Sequence, residues 1–223
     1  MNKSILGCGG LLVVLLFVAV IFGLFLLGKY NGLVKLDQEV NKKWGDVQTV
    51  YQRRADLIPN LVNTVQGAAN FEKSTLTEVT NARASVGRVQ IDASKAPTEA
   101  AQLQQFQEAQ GQLSNALSRL LVVSERYPEL KANQNFLGLQ AQLEGTENRI
   151  SVERNNYNEV VQRYNTAVRT FPTNLVAGMM GFSPRPFFNA TAGAQNAPTV
   201  NFNFGSPAPA TSAAPAATAA ATP

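Results

Sequence analysis

The chain contains no histidine and one cysteine. The first absence excludes Ser/His/Asp and Cys/His catalysis and every histidine-bearing zinc site. The second excludes CxxC redox chemistry and any internal disulfide. No GxxxxGK[ST] stretch is present, and the Gly-containing segments follow no strand, so a phosphate-cradling loop is not expected. Charge of one sign is scarce as well. The formal charge of +4 and pI near 9.3 come from the ends, because all 15 acidic residues lie between Asp37 and Glu159. Tyr30 to Phe171 carries sixteen bases against fifteen acids, which leaves no polyanion-binding face and excludes nucleic acid as a partner. At 223 residues and 45% apolar composition the chain can fill one core, and two independent domains would be a squeeze.

What is present is a long apolar run. Ile5 to Gly28 holds no charge, and it is densest from Leu11 to Leu27. As a helix it is roughly 36 Å long, against a hydrocarbon layer of roughly 30 Å, so it can span a bilayer with tilt. It exceeds the h-region of a signal peptide, and no A-x-A-like site precedes Lys29, so an uncleaved anchor is expected. Cys8 lies ahead of the apolar stretch instead of behind it, which argues against lipoprotein processing. Lys29, Lys35, Lys42 and Lys43 outnumber Lys3 with the amino terminus, favouring a cytoplasmic bulk domain under the positive-inside rule.

Beyond the anchor the apolar spacing stays helical. Leu33, Leu36, Val40, Val47, Val50, Leu57 and Leu61 alternate by threes and fours, with Trp44 and Ile58 beside the stripe. Pro59 is expected to kink this helix or begin a new one, and the pattern is expected to run on from Asn60 to about Val86. A loop over Gly87 to Pro97 precedes a helix with Thr98 as N-cap, bearing Leu103, Phe106, Leu113, Leu117, Leu120 and Leu121 and stopping at Tyr127-Pro128. Phe136, Leu143, Ile150, Tyr157, Tyr164 and Phe171 then recur every seven residues, and Pro172 closes the run. No alternating strand-like series appears between residues 30 and 171. The fold class is therefore all-α: one transmembrane helix over 1–28, continuing into an antiparallel bundle of roughly four helices. The bundle ends near residue 182. Residues 183–223 turn Phe/Asn-rich, then Ala/Pro/Thr-rich, and are expected to be disordered at the end. Within them, Phe187, Phe188, Phe202 and Phe204 form a candidate docking strip, for a partner or for the bundle itself.

Some polar residues fall on or beside the apolar seams. Arg54 sits on the first-helix seam and Glu153 on the last, with Arg53, Asp56, Pro59, Asn60, Glu147, Arg154 and Asn158 nearby. Buried charges cost several kcal/mol unless paired. These residues are expected either to form a satisfied network that fixes register and the Pro59 bend, or to line a ligand or partner pocket beside it. Asp56 and Glu147 are the only pair to weigh for acid/base work, and nothing beside them supplies a nucleophile, a metal set or a phosphate loop. No catalytic, cofactor or metal-binding residues are assigned.

Three stretches resemble the LemA family of bacterial membrane-anchored helical proteins. They are Tyr30-Asn31-Gly32-Leu33-Val34, the run Arg53-Arg54-Ala55-Asp56-Leu57-Ile58-Pro59-Asn60-Leu61-Val62, and the region from Tyr127-Pro128-Glu129-Leu130-Lys131-Ala132-Asn133 through Thr146-Glu147, Tyr157-Asn158 and Tyr164-Asn165 to Phe171-Pro172. The resemblance covers roughly Lys29 to Phe182. In one departure, Phe71 precedes Glu72 where the family usually carries histidine, so any role tied to an imidazole is absent. The resemblance implies a single anchor, an antiparallel bundle and a bacterial cytoplasmic membrane. It also implies an accessory protein without an agreed catalytic centre, some members being associated with membrane proteases and one branch with magnetosome membranes. The leading expectation is a non-enzymatic, homo-oligomeric scaffold in the lipid bilayer that engages other membrane proteins. The alternatives are an adaptor or regulator of a membrane protease, and a membrane-shaping protein.

Overall fold

A single helix carries the apolar run into the body of the protein without interruption. In the computed structural model, which describes residues 3–67, 71–89, 92 and 94–189 and side chains from Val13 onward, α1 extends over Lys3–Gln66. It is followed by α2 (Lys73–Arg88), α3 (Ala100–Ser124), the single turn α4 (Pro128–Lys131), α5 (Gln134–Arg169) and α6 (Thr173–Met180). No strand occurs among the described residues. Among the described residues one helix is long and apolar enough to cross a membrane, and its large apolar side chains from Val13 to Phe25 are exposed. The candidate docking residues Phe202 and Phe204, with the Ala/Pro/Thr-rich end, lie outside the described residues.

Four long helices alternate in direction, α1 up, α2 down, α3 up and α5 down. Ion pairs mark the antiparallel α1–α5 rungs, because Glu39 meets Arg163 at 2.9 Å and Arg54 meets Glu147 at 2.8 Å, one number rising as the other falls. The seven-residue stripe of α5 supplies the core. Phe136, Leu143, Ile150, Tyr157 and Tyr164 are all buried. Trp44 and Ile58, beside the α1 stripe, are fully buried as well and anchor the two halves of the core. Burying a large apolar side chain contributes about 1.5–3 kcal/mol, so these seams dominate the helix choice over local propensity.

Three helix boundaries differ from the sequence expectation. Of the two outcomes expected at Pro59, a kink or a new helix, the new helix does not form, and α1 continues to Gln66. Tertiary packing holds the helix through it, since Ile58, Leu61 and Val65 on either side are buried. The expected helical continuation from Asn60 to Val86 is instead broken after Gln66, and α2 starts afresh at Lys73. Turning back lets α2 bury Leu76, Val79 and Ala82 against α3 and α1, which a straight continuation would leave in solvent. Thr98 is not the cap of α3; Glu99 holds that position.

Because α2 is short, the lower half of the bundle lacks a fourth helix on that side. On that side the described residues Val89, Asp92 and 94–97 pack against α1. The Trp44 indole N–H donates to the Asp92 carbonyl at 3.0 Å, and the Ala96 N–H donates to the Asn41 side chain at 2.9 Å. The chain after α6 completes this layer: Gly181, with φ of +77°, ends the helix in the left-handed region that glycine tolerates, and Phe182–Phe188 folds back along α5.

Candidate functional site

Two polar clusters are set into the apolar seams. The first is at mid-bundle. Arg54 projects from α1 between α3 and α5 and is only 2% exposed. Its Nη1 donates to Ser114 Oγ and Glu147 Oε2, each at 2.8 Å, and its Nη2 donates to the side-chain oxygen of Gln110. The guanidinium also lies 5.2 Å from the centre of the Tyr51 ring. Its counter-ion is different in character: the Glu147 side chain is 54% exposed. The pair therefore has one end in the core and the other at the rim, so only the arginine is deprived of water.

The second cluster closes the lower half. Asn158 and Asn165, seven residues apart on α5, each use a side-chain amide as a surrogate for a neighbouring strand. Asn165 donates to the Arg185 carbonyl at 2.8 Å and accepts the Arg185 N–H at 2.7 Å. Asn158 does the same for Phe188, at 3.0 and 2.8 Å. Held this way, the buried Arg185 donates to Asp37 Oδ1 on α1 at 2.8 Å and to the Ala96 carbonyl at 2.9 Å. Phe188 stacks on Trp44, meets Tyr157 edge-on and lies beneath the Arg154 guanidinium at 4.9 Å. One strap thus ties α1, Ala96 and α5 together.

The structure divides the sequence-derived residues between these clusters. Arg54 and Glu147 meet in the first, and Arg154 and Asn158 belong to the second. Arg53, Asp56 and Asn60 face outward and join neither; Asp56 accepts from Gln52 on its own helix at 2.8 Å. Pro59 lies half-buried in α1, one turn beyond Arg54. No hydrogen bond joins Asp56 to Glu147 among the described residues. Glu153 stays near the rim with Asn156 and Lys43. Phe188 is enclosed in the chain's own core and is not free for a partner, whereas Phe187 is exposed. Sequence reasoning missed Asp37, Gln110, Ser114, Asn165 and Arg185. The available signal was Arg185 itself, the one charge after Arg169 in a stretch with nothing else to pair it.

Burial pushes the Tyr51, Tyr157 and Tyr164 phenols up from 10.0, that is, away from neutrality. A general acid or base needs the opposite tuning. No group of three or more metal-ligating side chains occurs among the described residues. Each cluster holds one buried guanidinium with partners on two other segments.

Comparison with known proteins places this architecture. The LemA family model matches residues 43–202. The chain is 26% identical over 197 residues to the magnetosome protein MamQ 2 of Paramagnetospirillum magneticum, covering 80% of this chain and 71% of that one. It is 25% identical over 180 residues to Protein LemA of Metamycoplasma hominis, covering 79% and 78%. Against the magnetosome protein MamQ of Magnetospirillum gryphiswaldense it is 24% identical over 183 residues, covering 74% and 66%.

Proposed function

The chain belongs to the LemA family, and from that premise we propose that it is a non-enzymatic scaffold of the bacterial cytoplasmic membrane, anchored by α1, self-assembling and engaging other membrane proteins. One observation carries the reading: the apolar span and the bundle share a single unbroken helix of 64 residues. A bundle built on the same rod as its anchor inherits the orientation of that anchor, as a flexible linker would not allow. The two buried arginine clusters stiffen the post at mid-height and near its base. Near-neutral charge between Tyr30 and Phe171 permits copies to pack side by side without strong mutual repulsion. The names of the relatives, LemA and MamQ, are not those of enzymes and support a membrane-associated role.

The positive-inside pattern, with Lys29, Lys35, Lys42 and Lys43 following the span, supports a cytoplasmic bundle. The test of assembly is electron microscopy of the full chain in nanodiscs and mild detergent, with chemical cross-linking over a range of protein concentrations. Particles larger than one copy, cross-linked along the bundle, are the expected result. A monodisperse monomer at high concentration overturns the scaffold reading. Protease protection in sealed vesicles fixes the side: a bundle digested only after lysis of right-side-out vesicles is cytoplasmic.

A further inference from the structure

Resting on the reading of α1 as a membrane anchor, we propose that the corner between α5 and α6 is a second bilayer contact, with Phe171, Leu175, Met179 and Met180 immersed in lipid beside the span. The observation behind it is an exception in the core. Phe171 is the sixth member of the α5 seven-residue stripe, and five of the six are buried, yet Phe171 is 75% exposed. It lies beyond the end of α5 at Arg169, after Thr170 has turned extended. The turn between α5 and α6 reaches the apolar part of α1, and there Phe171 and Pro172 form a cleft with Val18, Ile21, Phe22 and Phe25. Every residue lining that cleft is apolar.

Those four α1 residues fix the depth. Lys29 is the first charge after the apolar run, and at about 1.5 Å per residue Phe25 lies roughly 6 Å and Val18 roughly 16 Å to the lipid side of it. Whatever surrounds α1 at that level also surrounds Phe171. The α6 helix continues the same surface. Val176 and Ala177 face the bundle and are buried, while Leu175, Met179 and Met180 point the other way and are exposed. Met179 is 80% exposed, a large cost in water and none in lipid. From Thr170 to Pro184 the chain carries no charge. Lys29 and Lys35 on α1 and Arg169 at the end of α5 flank this tip in the sequence, all basic and in no ion pair among the described residues; the Lys29 ammonium lies over the Phe25 ring at 5.2 Å. An apolar tip under a basic collar fits the interface of a bilayer containing anionic lipid. The chain then leaves the membrane at Phe182, which packs against Tyr30 with ring centres 6.0 Å apart.

The consequence is a bundle fixed to the membrane at two points, so that it cannot swivel about α1. Single cysteines carrying an environment-sensitive fluorophore test this in the full chain with Cys8→Ser. The positions are Leu175 and Met179 at the corner, Phe17 on the span and Val122 at the far end of the bundle, all exposed. Each variant is reconstituted into phosphatidylcholine/phosphatidylglycerol vesicles with or without brominated acyl chains. The expected result is blue-shifted emission, strongly quenched by bromolipid, at Phe17, Leu175 and Met179, and neither effect at Val122. Quenching at Phe17 with none at Leu175 and Met179 overturns the second contact while the anchor stands. A blue shift at Met179 without bromolipid quenching also overturns it, and assigns the corner to a second copy of the chain. Absence of quenching at Phe17 overturns the anchor and the inference with it.

Discussion

Arg83 donates its Nε–H to the carbonyl oxygen of Ala55 across 3.1 Å, and that oxygen is the one from which Pro59, four residues on, withholds a helical partner. A proline inside a helix costs about 3 kcal/mol, part of it for this orphaned acceptor. A side chain from α2 supplies the missing donor, so the irregularity in α1 becomes an attachment point for the neighbouring helix.

The relationship is testable by a double-mutant cycle. Arg83→Met is expected to cost about 1 kcal/mol, the value of a charge-assisted bond discounted for an exposed donor. In a Pro59→Ala background the backbone N–H returns to the Ala55 carbonyl, and the same Arg83→Met change is expected to cost close to nothing. Urea unfolding in mild detergent reads both arms, and equal costs in the two backgrounds would rule the relationship out.

The Arg54–Glu147 pair should respond unequally to loss of either partner. Arg54→Met removes a buried charge and leaves Glu147 at the rim, free to hydrate; about 1 kcal/mol is expected, chiefly for the Gln110 side chain it strands. Glu147→Ala leaves the guanidinium buried without its counter-ion, and about 2–3 kcal/mol is expected after allowance for the exposure of the glutamate. Thermal unfolding of both variants is the measurement. A larger loss for Arg54→Met would show that the arginine is held by its neutral partners and not by charge.

The two clusters also show what was legible in the sequence. The charge-free apolar run revealed the span, and periodicity revealed the α5 stripe and the seam position of Arg54, because both are local properties of the sequence. Neither could reveal the turn after Gln66, since the gain lies in Leu76, Val79 and Ala82 meeting α3, residues distant in the chain. The continuation through Pro59 was hidden for the same reason: Arg83, the donor to the Ala55 carbonyl, is 28 residues from Ala55. The strap was hidden by composition. Ser183 to Phe188 contains two prolines and no periodic signal, and what orders it is a pair of asparagines on another element. Asn158 and Asn165 differ from solvent-facing asparagines only in where α5 aims them.

Alkaline pH should weaken the fold through three phenols. Burial raises the folded-state pKa of Tyr51, Tyr157 and Tyr164 above 10.0. A group raised in the folded state contributes its full stability below the unfolded value and loses it as pH climbs towards the folded one. Stability is therefore expected to hold up to about pH 9.5 and then to fall by up to about 1.4 kcal/mol per pH unit per tyrosine. Phenolate absorbance from these rings should rise together with loss of helical circular dichroism. In Tyr157→Phe the decline should be shallower by one such increment, and an unchanged slope would remove Tyr157 from the account.

Strap removal has a built-in reporter, since Trp44 is the single tryptophan of the chain and its ring stacks on Phe188 with centres 6.1 Å apart. Ending the chain after Asn189 keeps every bond of Arg185 and Phe188, so Trp44 emission and the unfolding midpoint are expected to match the full chain. Ending it after Phe182 opens the Trp44–Tyr157 surface to water, strands Asp37 without Arg185 and leaves Asn158 and Asn165 without their backbone partners. The loss expected is about 3–5 kcal/mol, as for deletion of a large buried aromatic, with a red shift of Trp44 emission. Replacing Asn165 by Ala separates the contributions: it breaks the two bonds to the Arg185 backbone but retains Phe188, so a smaller loss of about 1–3 kcal/mol should come with little change at Trp44. If the two truncations behave alike, residues 183–189 add nothing to the bundle and the strap is not a structural element in solution.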